Sequence, residues 1–482
     1  MRAAAAVAAI LGLVAVVVGQ PQPPLAVPAN PPAAPVGPPG VKAAAPAAPA
    51  AKAPELPPDP AVAAHIRNLG ADDYRVREKA GRDLEAIGDK ALPHLKKALA
   101  EPTTPEVARR LTVLVRKIDY ERLVSPRRVT MPEKERTAKE AFDEVARQTG
   151  YRIEMQNDFG AARHKVAFAN TPFWQAVDTL ANLTGASVHG NGGDDETIFV
   201  NGGGGQRMPF VAYAGPFKIA AHNIQINRSM QLTSADPRGP GFIRPSESVT
   251  VMFNLFSEPK NPLLGMSMGP GVVSAEDDLG QSMAPPPPPE GGHNPFGGRM
   301  SYYGGGFGSR SFQMSGSLGL VRGGREARTI RSLKAKVHVN LLTGVIPEVS
   351  VADPLKAKNV KASGRTVEVE VDSVTAANGG YNAALTIRRL GTLDPNNPDP
   401  FSWSQNIHQK VELIDAQGNK YRANWANMSN QNQMSVTMTV PFHPMDRRGM
   451  MQKLGPPVRL VVNEWVQATH EVTFEFRDVP LP

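Results

Sequence analysis

A ten-residue frame occurs twice in the chain, thirty-five residues apart, and constrains the fold more than any other feature. The copies are residues 141–150 (AFDEVARQTG) and 176–185 (AVDTLANLTG). In each copy apolar residues recur at the spacing of one helical face, and a glycine, the residue that most readily ends a helix, follows. Strand-like apolar segments flank both copies. The pattern predicts a duplicated α+β module over residues 125–205, suited to docking and without catalytic groups.

The residues around the two predicted helices support the same interpretation. Thr137 and Glu140 have the spacing of a capping box at the start of the first helix, and Pro172 suits the first turn of the second. After the second copy the sequence predicts a hairpin with a polar, glycine-rich turn, whose two strands are residues 186–189 and 197–200.

The duplicated module resembles the secretin and TonB N-terminal short domain, a module of bacterial cell envelopes. The resemblance covers about 75 of the 482 residues and is carried by residues 146–150, Val166-Ala167-Phe168, the frame Ala176…Leu180…Thr184-Gly185, and Thr197-Ile198-Phe199-Val200. It implies protein–protein docking in the periplasm. Secretion or transport is not implied, because no secretin pore region and no outer-membrane barrel follow. A generic βαβ pair without a partner of its own is the alternative.

The N-terminus has the pattern of an export signal. Arg2 supplies a positive charge, residues 3–18 form an uncharged run, and small residues at 17–19 suit cleavage. The run is shorter than the roughly 20 residues that a bilayer-spanning helix needs, so residues 1–19 are predicted to be a signal peptide. We therefore expect a periplasmic or cell-surface protein, or alternatively one anchored in the inner membrane through residues 3–18. Membrane contact is expected only through an uncleaved leader.

A proline-rich segment follows the leader. Residues 20–60 contain fifteen prolines and only four charged side chains. Because proline fixes φ and removes backbone donors, this segment is predicted to be a disordered, extended linker without a core. It either holds the folded part away from a membrane or wall or is a spacer without a partner.

Bulk composition excludes several kinds of chemistry. The chain has no cysteine, which excludes disulfides, thiolate metal sites, cysteine catalysis and lipid attachment at cysteine. About 420 residues follow the linker, a length typical of about three or four domains. The net charge of +8 is spread over 482 residues, and such an excess indicates mostly solvated surface.

Residues 61–124 show helical periodicity. A first helix is predicted to end at Gly88, a second has Pro93 near its start, and a third begins at Thr104-Pro105. Their apolar stripes are Val76, Ala80, Leu84 and Ile87; Leu92, Leu95 and Leu99; and Val107, Leu111, Leu114 and Ile118. This order resembles at most two HEAT repeats. Because short solenoids cannot bury their faces alone, we expect the segment to pack on its neighbour or to serve a partner.

The remaining residues predict strands. Strict apolar–polar alternation, typical of strands with one buried face, occurs at residues 367–371, 436–440 and 472–476. We predict two β-sandwich-like domains, residues 206–346 and 347–482, with a disordered loop in the first, residues 261–310. The predicted fold class is thus a multidomain α plus β protein: a short HEAT-like helical segment, a duplicated βαβ module and two β-sandwich-like domains.

No group of residues predicts catalysis, and no catalytic residue, cofactor or metal is expected. The histidines lack the spacing of a zinc site, and no phosphate-binding glycine loop occurs. The acidic clusters at 194–196 and 276–278 lack the alternating spacing of a calcium loop and are interpreted as solvated turns. Nucleic acid is not an expected partner, because the basic residues between Arg322 and Lys336 have no interleaved aromatic side chains.

Two surfaces are candidates for binding. The outward helical face at Arg75, Arg77 and Arg82, with an exposed sheet edge of the duplicated module, is the candidate for docking an envelope protein. Trp403 and Trp425 are candidates for stacking on the sugar rings of a polysaccharide, whereas Trp174, beside an apolar stripe, is predicted to be core.

Together these features predict a non-enzymatic exported envelope protein that acts as a protein–protein interaction scaffold. Two alternatives remain open. One is an envelope protein that binds glycans through its β-sandwich-like domains. The other is a hydrolase whose active-site residues are dispersed in the sequence.

Overall fold

The chain mixes helices and strands, and most strands form antiparallel sheets. The computed structural model describes residues 59–157, 159, 161–190, 197–203, 208–231, 244–266, 271–286, 310–322, 326–392, 402–404, 406–423, 425–445 and 450–482. The predicted signal peptide, 1–19, and residues 20–58 of the predicted linker lie outside the described residues. Among the described helices, none combines the length and apolar character that crossing a bilayer requires. The described α-helices are α1 Pro60–Asn68, α2 Tyr74–Ile87, α3 Leu92–Ala100, α4 Pro105–Val124, α5 Ala138–Thr149 and α6 Phe173–Thr184.

The first four helices form the helical segment. α1 packs on α2 and α3 on α4, and the two pairs meet through contacts of α1 with α3 and of α2 with α4. α1 lies within the predicted helical segment, but its bounds were not predicted from the sequence. The carboxylate of Asp59 accepts hydrogen bonds from the N–H groups of Ala61 and Val62, so Pro60 opens this helix instead of closing the linker. The core of the segment consists of Val62, Leu69, Ala80, Leu84, Ala91, Leu92, Leu95, Leu111, Leu114 and Ile118.

The predicted helix ends in this segment are confirmed. One residue of the predicted apolar stripes is exposed instead of buried. The hydroxyl of Thr104 accepts a hydrogen bond from the N–H of Val107, and Pro105 is the first helical residue of α4. Gly88 ends α2 with a φ of 62°. Val76, which was predicted to be part of the apolar stripe, is 39% exposed. The first turn of α2 therefore projects beyond the helical core.

The two copies of the repeated frame fold as two strand–helix–strand units. The first is β1 (Arg128–Thr137), α5 and β2 (Arg152–Met155), and the second is β3 (Arg163–Pro172), α6 and β4 (Ser187–Gly190). β1 pairs antiparallel with β3, and α5 contacts α6, so the two units pack together. A further strand, β5 (Thr197–Asn201), lies between β2, to which it is parallel, and β4, to which it is antiparallel.

The C-terminal ends of the two helices are equivalent, whereas their N-terminal ends differ. Thr137 and Glu140 form the predicted capping box. Gly150 and Gly185 end α5 and α6 with φ values of 73° and 67°, a conformation that glycine adopts at little cost. Pro172 is the residue before α6 and not part of its first turn. Both units contribute to one core, whose buried members include Phe142, Val145, Val166, Phe168, Phe173, Trp174, Val177, Leu180, Ile198 and Val200.

Three antiparallel sheets contain the remaining strands. Their orders are β11-β8-β7-β6, then β10-β12-β20-β16-β17 with β9 also on β12, then β13-β14-β15-β19-β18. The strands are β6 Phe210–Ala214, β7 Phe217–Gln231, β8 Arg244–Ser257, β9 Leu263–Met266, β10 Gly271–Asp277, β11 Gln313–Val321, β12 Thr329–Ala352, β13 Lys358–Ser363, β14 Val367–Ala377, β15 Gly380–Arg389, β16 Val411–Asp415, β17 Lys420–Tyr421, β18 Asn427–Gln431, β19 Ser435–Phe442 and β20 Pro457–Pro480. The three alternating segments lie, as predicted, in strands β14, β19 and β20.

Two strands of 24 residues, β12 and β20, join two separate apolar cores. They pair along their whole length, with Thr329 opposite Pro480 and Ala352 opposite Arg459. One end of the pair lies on a core shared with β7, β8 and β11, and the other on a core shared with β14, β15 and β19. The boundary predicted at residues 346 and 347 falls inside β12, between Leu341 of the first core and Val349 of the second. The pairing of β12 with β20 continues across it, with a register shift on either side of Ile346-Pro347.

The predicted disordered loop, residues 261–310, contains two strands and requires a correction. β9 and β10 both pair with β12. Leu263, Met266 and Met283 are fully buried in the first of the two cores. The apolar residues of this segment thus complete a core that the proline-rich composition nearby obscured. Residues 287–309, with the Gly/Tyr-rich patch, lie outside the described residues.

Candidate functional site

A groove of about 450 Å³ lies between α2 and α4 on the surface of the helical segment. Its apolar lining is Leu69, Gly81, Val113 and Leu114, and its charged lining is Arg77, Glu78, Arg82 and Glu85 from α2 with Glu106, Arg109 and Arg110 from α4. Because these positions recur at intervals of three, four or five residues, each helix presents them on one face. The groove therefore combines an apolar strip with two charged walls.

The middle of this α2–α4 groove is open. Val113 is 58% exposed although its side chain is apolar. A Cβ at Gly81 would have no atom within 4 Å. The absence of a side chain at Gly81 thus leaves space in the groove, and the exposed Val113 could contact a side chain from another molecule that enters it.

Ion pairs engage every glutamate in the walls of the groove. Arg110 donates to Glu78 at 2.9 Å and to Glu106 at 3.2 Å, and Lys117 donates to Glu85 at 2.6 Å. The hydrogen bond to Glu78, followed by the one to Glu106, raises the pKa of Arg110 above its usual value. Arg77 of α2 also lies 3.6 Å from Glu106, so three cations face the three carboxylates of the groove.

Arg77, a predicted docking residue, lines the groove, but its guanidinium is hydrogen-bonded to the turn that precedes α2. Its guanidinium donates to the carbonyls of Ala71 and Asp72, each at 2.8 Å, and lies 5.8 Å from the ring centroid of Tyr74. Its Nε makes no hydrogen bond and lies 3.6 Å from Glu106. These contacts fix the turn between α1 and α2.

Arg82 and Arg109 differ from Arg77 in having no such contacts. Both line the groove and are exposed, and within the described part of the chain no hydrogen bond or ion pair holds either guanidinium. The third predicted docking residue, Arg75, is also exposed, but it is not part of the groove lining. Arg109 was missed from the sequence, although its spacing from Glu106 and Val113 places all three on one face of α4.

A second charged region joins the helical segment to the β-rich body, and we call it the Glu258 junction (Glu258, Lys260 and Asn261). Glu258 is fully buried. Its carboxylate accepts the N–H of Arg127 at 3.1 Å and the hydroxyl of Tyr151 at 2.6 Å. Burial raises the pKa of Glu258 to about 7 and also raises the pKa of Tyr151.

The other two residues of the Glu258 junction bind the end of α4. Lys260 donates to the carbonyls of Arg122 and Ser125, and Asn261 donates to the carbonyl of Leu123. Burial lowers the pKa of Lys260 to about 8. A cavity of about 230 Å³ lies beside Lys260. The junction is thus a closed, hydrogen-bonded contact between parts of the protein.

A third contact fastens the helical segment, and it confirms the expectation that this segment packs on its neighbour. The hydroxyl of Tyr120 on α4 lies 2.7 Å from Nδ1 of His470 on β20. His470 stacks on Phe217 at 5.6 Å, and burial lowers the pKa of its imidazole. Leu123 packs against the neighbouring β core.

The predicted tryptophans occupy different environments. Trp174 is 6% exposed in the core of the duplicated module, as predicted. Trp403 is half-buried against the second β core, and its indole N–H donates to the carbonyl of Gln433 at 2.8 Å. Trp425 is 55% exposed. The two candidate sugar-stacking residues therefore do not offer equivalent surfaces.

The charged clusters seen in the sequence are engaged where the structure describes them. Asp277 was interpreted as part of a solvated turn, but it is fully buried and accepts the N–H groups of Leu279 and Gln281. Arg322, in the basic run, donates to Glu247 at 2.7 Å. Residues 194–196 lie outside the described residues. In the described ranges no three His, Asp or Glu side chains are grouped so as to hold a metal ion.

Comparison with protein families, with curated proteins and with solved structures finds no match to this chain.

Proposed function

We propose that the protein is a non-enzymatic scaffold of the cell envelope, which binds another protein in the α2–α4 groove. The observation that carries this proposal is an open groove with an exposed valine and two exposed arginines, Arg82 and Arg109, whose guanidiniums make no hydrogen bond or ion pair within the described residues. Exposed apolar surface rimmed by charged side chains is typical of protein interaction sites.

The domain organisation supports an envelope location. The leader-like residues 1–19 favour export, and the duplicated module resembles the secretin and TonB N-terminal short domain, which implies docking in the periplasm. We interpret the helical segment as a HEAT-like element. The two cores on β12 and β20 are interpreted as β-sandwich-like domains that share one sheet. A rigid β-rich body of this kind would hold the docking surfaces in fixed positions.

The β1 edge of the duplicated module is a weaker docking surface than the groove. Gln148 bonds both the N–H and the carbonyl of Thr130 on β1, and Arg136 donates to the carbonyls of Pro132 and Lys134. An edge strand is protected from pairing with a further strand when side chains hydrogen-bond its backbone N–H and C=O groups. Proline and charged residues on the strand have the same effect. The β1 edge is therefore a poor acceptor for a partner strand.

Site-specific photo-crosslinking in the producing cells tests the proposal. A photoreactive amino acid replaces Val113 in the full chain, and the matched control carries it at Val360 on β13, which is 37% exposed and far from the groove in sequence. We expect adducts with one or a few defined proteins from position 113 and not from position 360. Equal labelling from both positions, or no protein adduct from position 113, would contradict the proposal.

A second candidate function is glycan binding by the β-rich region, favoured by the exposure of Trp425. An indole ring exposed to this degree offers a face for stacking on a sugar ring. Retention of the protein on cell-wall polysaccharide, lost in Trp425→Ala and kept in Trp403→Ala, would support it. Equal retention of the wild type and Trp425→Ala would remove this candidate.

A further inference from the structure

We infer that the occupant of the α2–α4 groove is an acidic segment of a partner protein, which carries an apolar side chain between carboxylates. This inference rests on the proposed docking function and adds the chemistry of the partner. It depends on three features of the groove: its uncompensated charge, its apolar middle and its length.

The charge of the groove is unbalanced once internal ion pairs are counted. Arg110 pairs with Glu78 and Glu106. Arg77 also lies 3.6 Å from Glu106, and Lys117 pairs with Glu85, so three cations balance three carboxylates. The remaining cations, Arg82 and Arg109, stand on opposite walls, one on α2 and one on α4. A guanidinium binds a carboxylate through two parallel N–H donors, which makes arginine well suited to acidic partners.

Each of the two arginines is close in sequence to an apolar lining residue on its own helix. Gly81 precedes Arg82 directly, and Val113 follows Arg109 by one helical turn. An aliphatic or aromatic side chain that enters beside Gly81 would cover the exposed surface of Val113. Carboxylates on either side of that side chain would then face the two arginines.

The length of the groove limits the bound segment. Its lining runs from Arg77 to Glu85 on α2 and from Glu106 to Leu114 on α4. Eight residues of helix span about 12 Å, which is about two helical turns. Two turns of an amphipathic helix, laid in a groove between two helices, have this length and present one apolar side chain with flanking acids.

The linker of the chain itself does not match this description. Between residues 20 and 58 its only acidic residue is Glu55, and it also contains Lys42 and Lys52. A segment with this balance of charge offers no pair of carboxylates to Arg82 and Arg109. The occupant is therefore assigned to another protein.

Selection from a phage-displayed library of random dodecapeptides on the immobilised full chain tests the inference. We expect enriched sequences in which Asp or Glu flank an aliphatic or aromatic residue. The double variant Arg82→Glu/Arg109→Glu should weaken binding of the best acidic peptide by at least about tenfold, since charge-assisted hydrogen bonds are lost. Fluorescence anisotropy of the labelled peptide measures this change.

The matched control is Arg67→Glu/Arg116→Glu. It changes the charge of the helical segment by the same amount at two exposed arginines outside the groove lining. We expect this control to bind the acidic peptide within about twofold of wild type, because neither arginine lines the groove and water and salt screen exposed charges. An equal loss of binding in both variants would mean general charge attraction and would overturn the inference.

The outcomes separate this inference from the docking proposal on which it rests. Neutral or basic enriched peptides, together with crosslinks from position 113, would overturn the acidic occupant and leave docking intact. Failure of both the selection and the crosslinking would contradict both. Self-association seen by light scattering, and abolished by Arg82→Glu/Arg109→Glu, would assign the groove to a second copy and overturn the inference.

Discussion

The α2–α4 groove and the Glu258 junction are both charged, but their charged side chains differ in burial and in hydrogen bonding. In the junction Glu258 is fully buried, and Lys260 is bonded to two backbone carbonyls. In the groove Arg82 and Arg109 are exposed, and their guanidiniums make no hydrogen bond or ion pair within the described residues. The difference indicates that the junction holds the protein together and that the groove is available for binding.

Desolvation explains why the junction needs its hydrogen bonds. A buried carboxylate without partners costs several kcal/mol, so Glu258 is tolerated only because Arg127 and Tyr151 donate to it. Gly215 contributes to the same contact, since a Cβ at this residue, whose φ is 56°, would lie 2.7 Å from the carbonyl oxygen of Val124. An exposed arginine needs no such support, because water solvates it.

Among the substitutions that test this comparison, Glu258→Ala is expected to have the largest effect on the free energy of unfolding. The substitution leaves the Tyr151 hydroxyl and the Arg127 N–H buried without an acceptor, and we expect a loss of about 3 to 4 kcal/mol in the free energy of unfolding. Glu258→Gln keeps one acceptor oxygen and should lose less than half as much. Urea unfolding followed by tyrosine and tryptophan fluorescence measures both, and equal stability of the Ala and Gln variants would contradict the assigned role.

The pH dependence of stability gives the next effect. The folded pKa of Glu258, about 7, lies above its usual value of 4.5, so the folded protein binds the proton more tightly than the unfolded chain. The stability contribution is therefore present at low pH and is lost as pH rises. Between about pH 5 and about pH 7.5 we expect a fall of roughly 2 kcal/mol from this group.

Glu258→Gln is also the control for this pH effect. It removes the titrating group, so the fall between these pH values should flatten when urea midpoints of both proteins are compared. Lys260 does not account for the same window, since the cost of its lowered pKa, about 8, is constant at lower pH and changes only above about pH 8, where stability rises. Parallel pH profiles for wild type and Glu258→Gln would refute the titration of Glu258.

Local sequence signals predict the helices and strands of both regions. Contacts between residues far apart in the sequence determine which side chains are buried and which strands pair. The capping box at Thr137 and the helix start at Thr104 depend on neighbouring residues, and both were predictable. The partners of Glu258 are 131 and 107 residues away, so its burial has no local signature. The pairing of β12 with β20 is equally distant, which is why a boundary was predicted inside β12.

The groove shows the same limit at a smaller scale. Helical spacing identified a basic face that includes Arg77 and Arg82. The spacing did not distinguish Arg77 from Arg82. The guanidinium of Arg77 is bound to the carbonyls of Ala71 and Asp72, whereas that of Arg82 makes no hydrogen bond or ion pair within the described residues. Arg109 was missed because it lies on α4, and only the packing of α4 against α2 brings it to the groove.

Tyr120→Phe tests how firmly the third contact holds the helical segment. The substitution removes the hydroxyl that lies 2.7 Å from His470, at a position that is 42% exposed. Since a partly solvated hydrogen bond contributes modestly, we expect a loss of about 0.5 to 1 kcal/mol. Hydrogen exchange of the α4 amides should accelerate while exchange in β20 does not change, and equal acceleration in both elements would argue against a local contact.

The smallest effect, and the sharpest comparison, is between two arginines of the same groove. Arg110→Ala removes the ion pairs to Glu78 and Glu106, of which Glu106 keeps only Arg77, at 3.6 Å. We therefore expect a loss of about 0.5 to 1 kcal/mol in thermal unfolding experiments. Arg82→Ala removes an exposed side chain without such contacts and should change stability by less than about 0.5 kcal/mol. Peptide binding should show the opposite order, with the larger loss in Arg82→Ala, because Arg82 is free to meet a carboxylate and Arg110 is already paired. Loss of stability in Arg82→Ala as large as in Arg110→Ala would mean that the groove arginines serve the fold and would remove the distinction between the two regions.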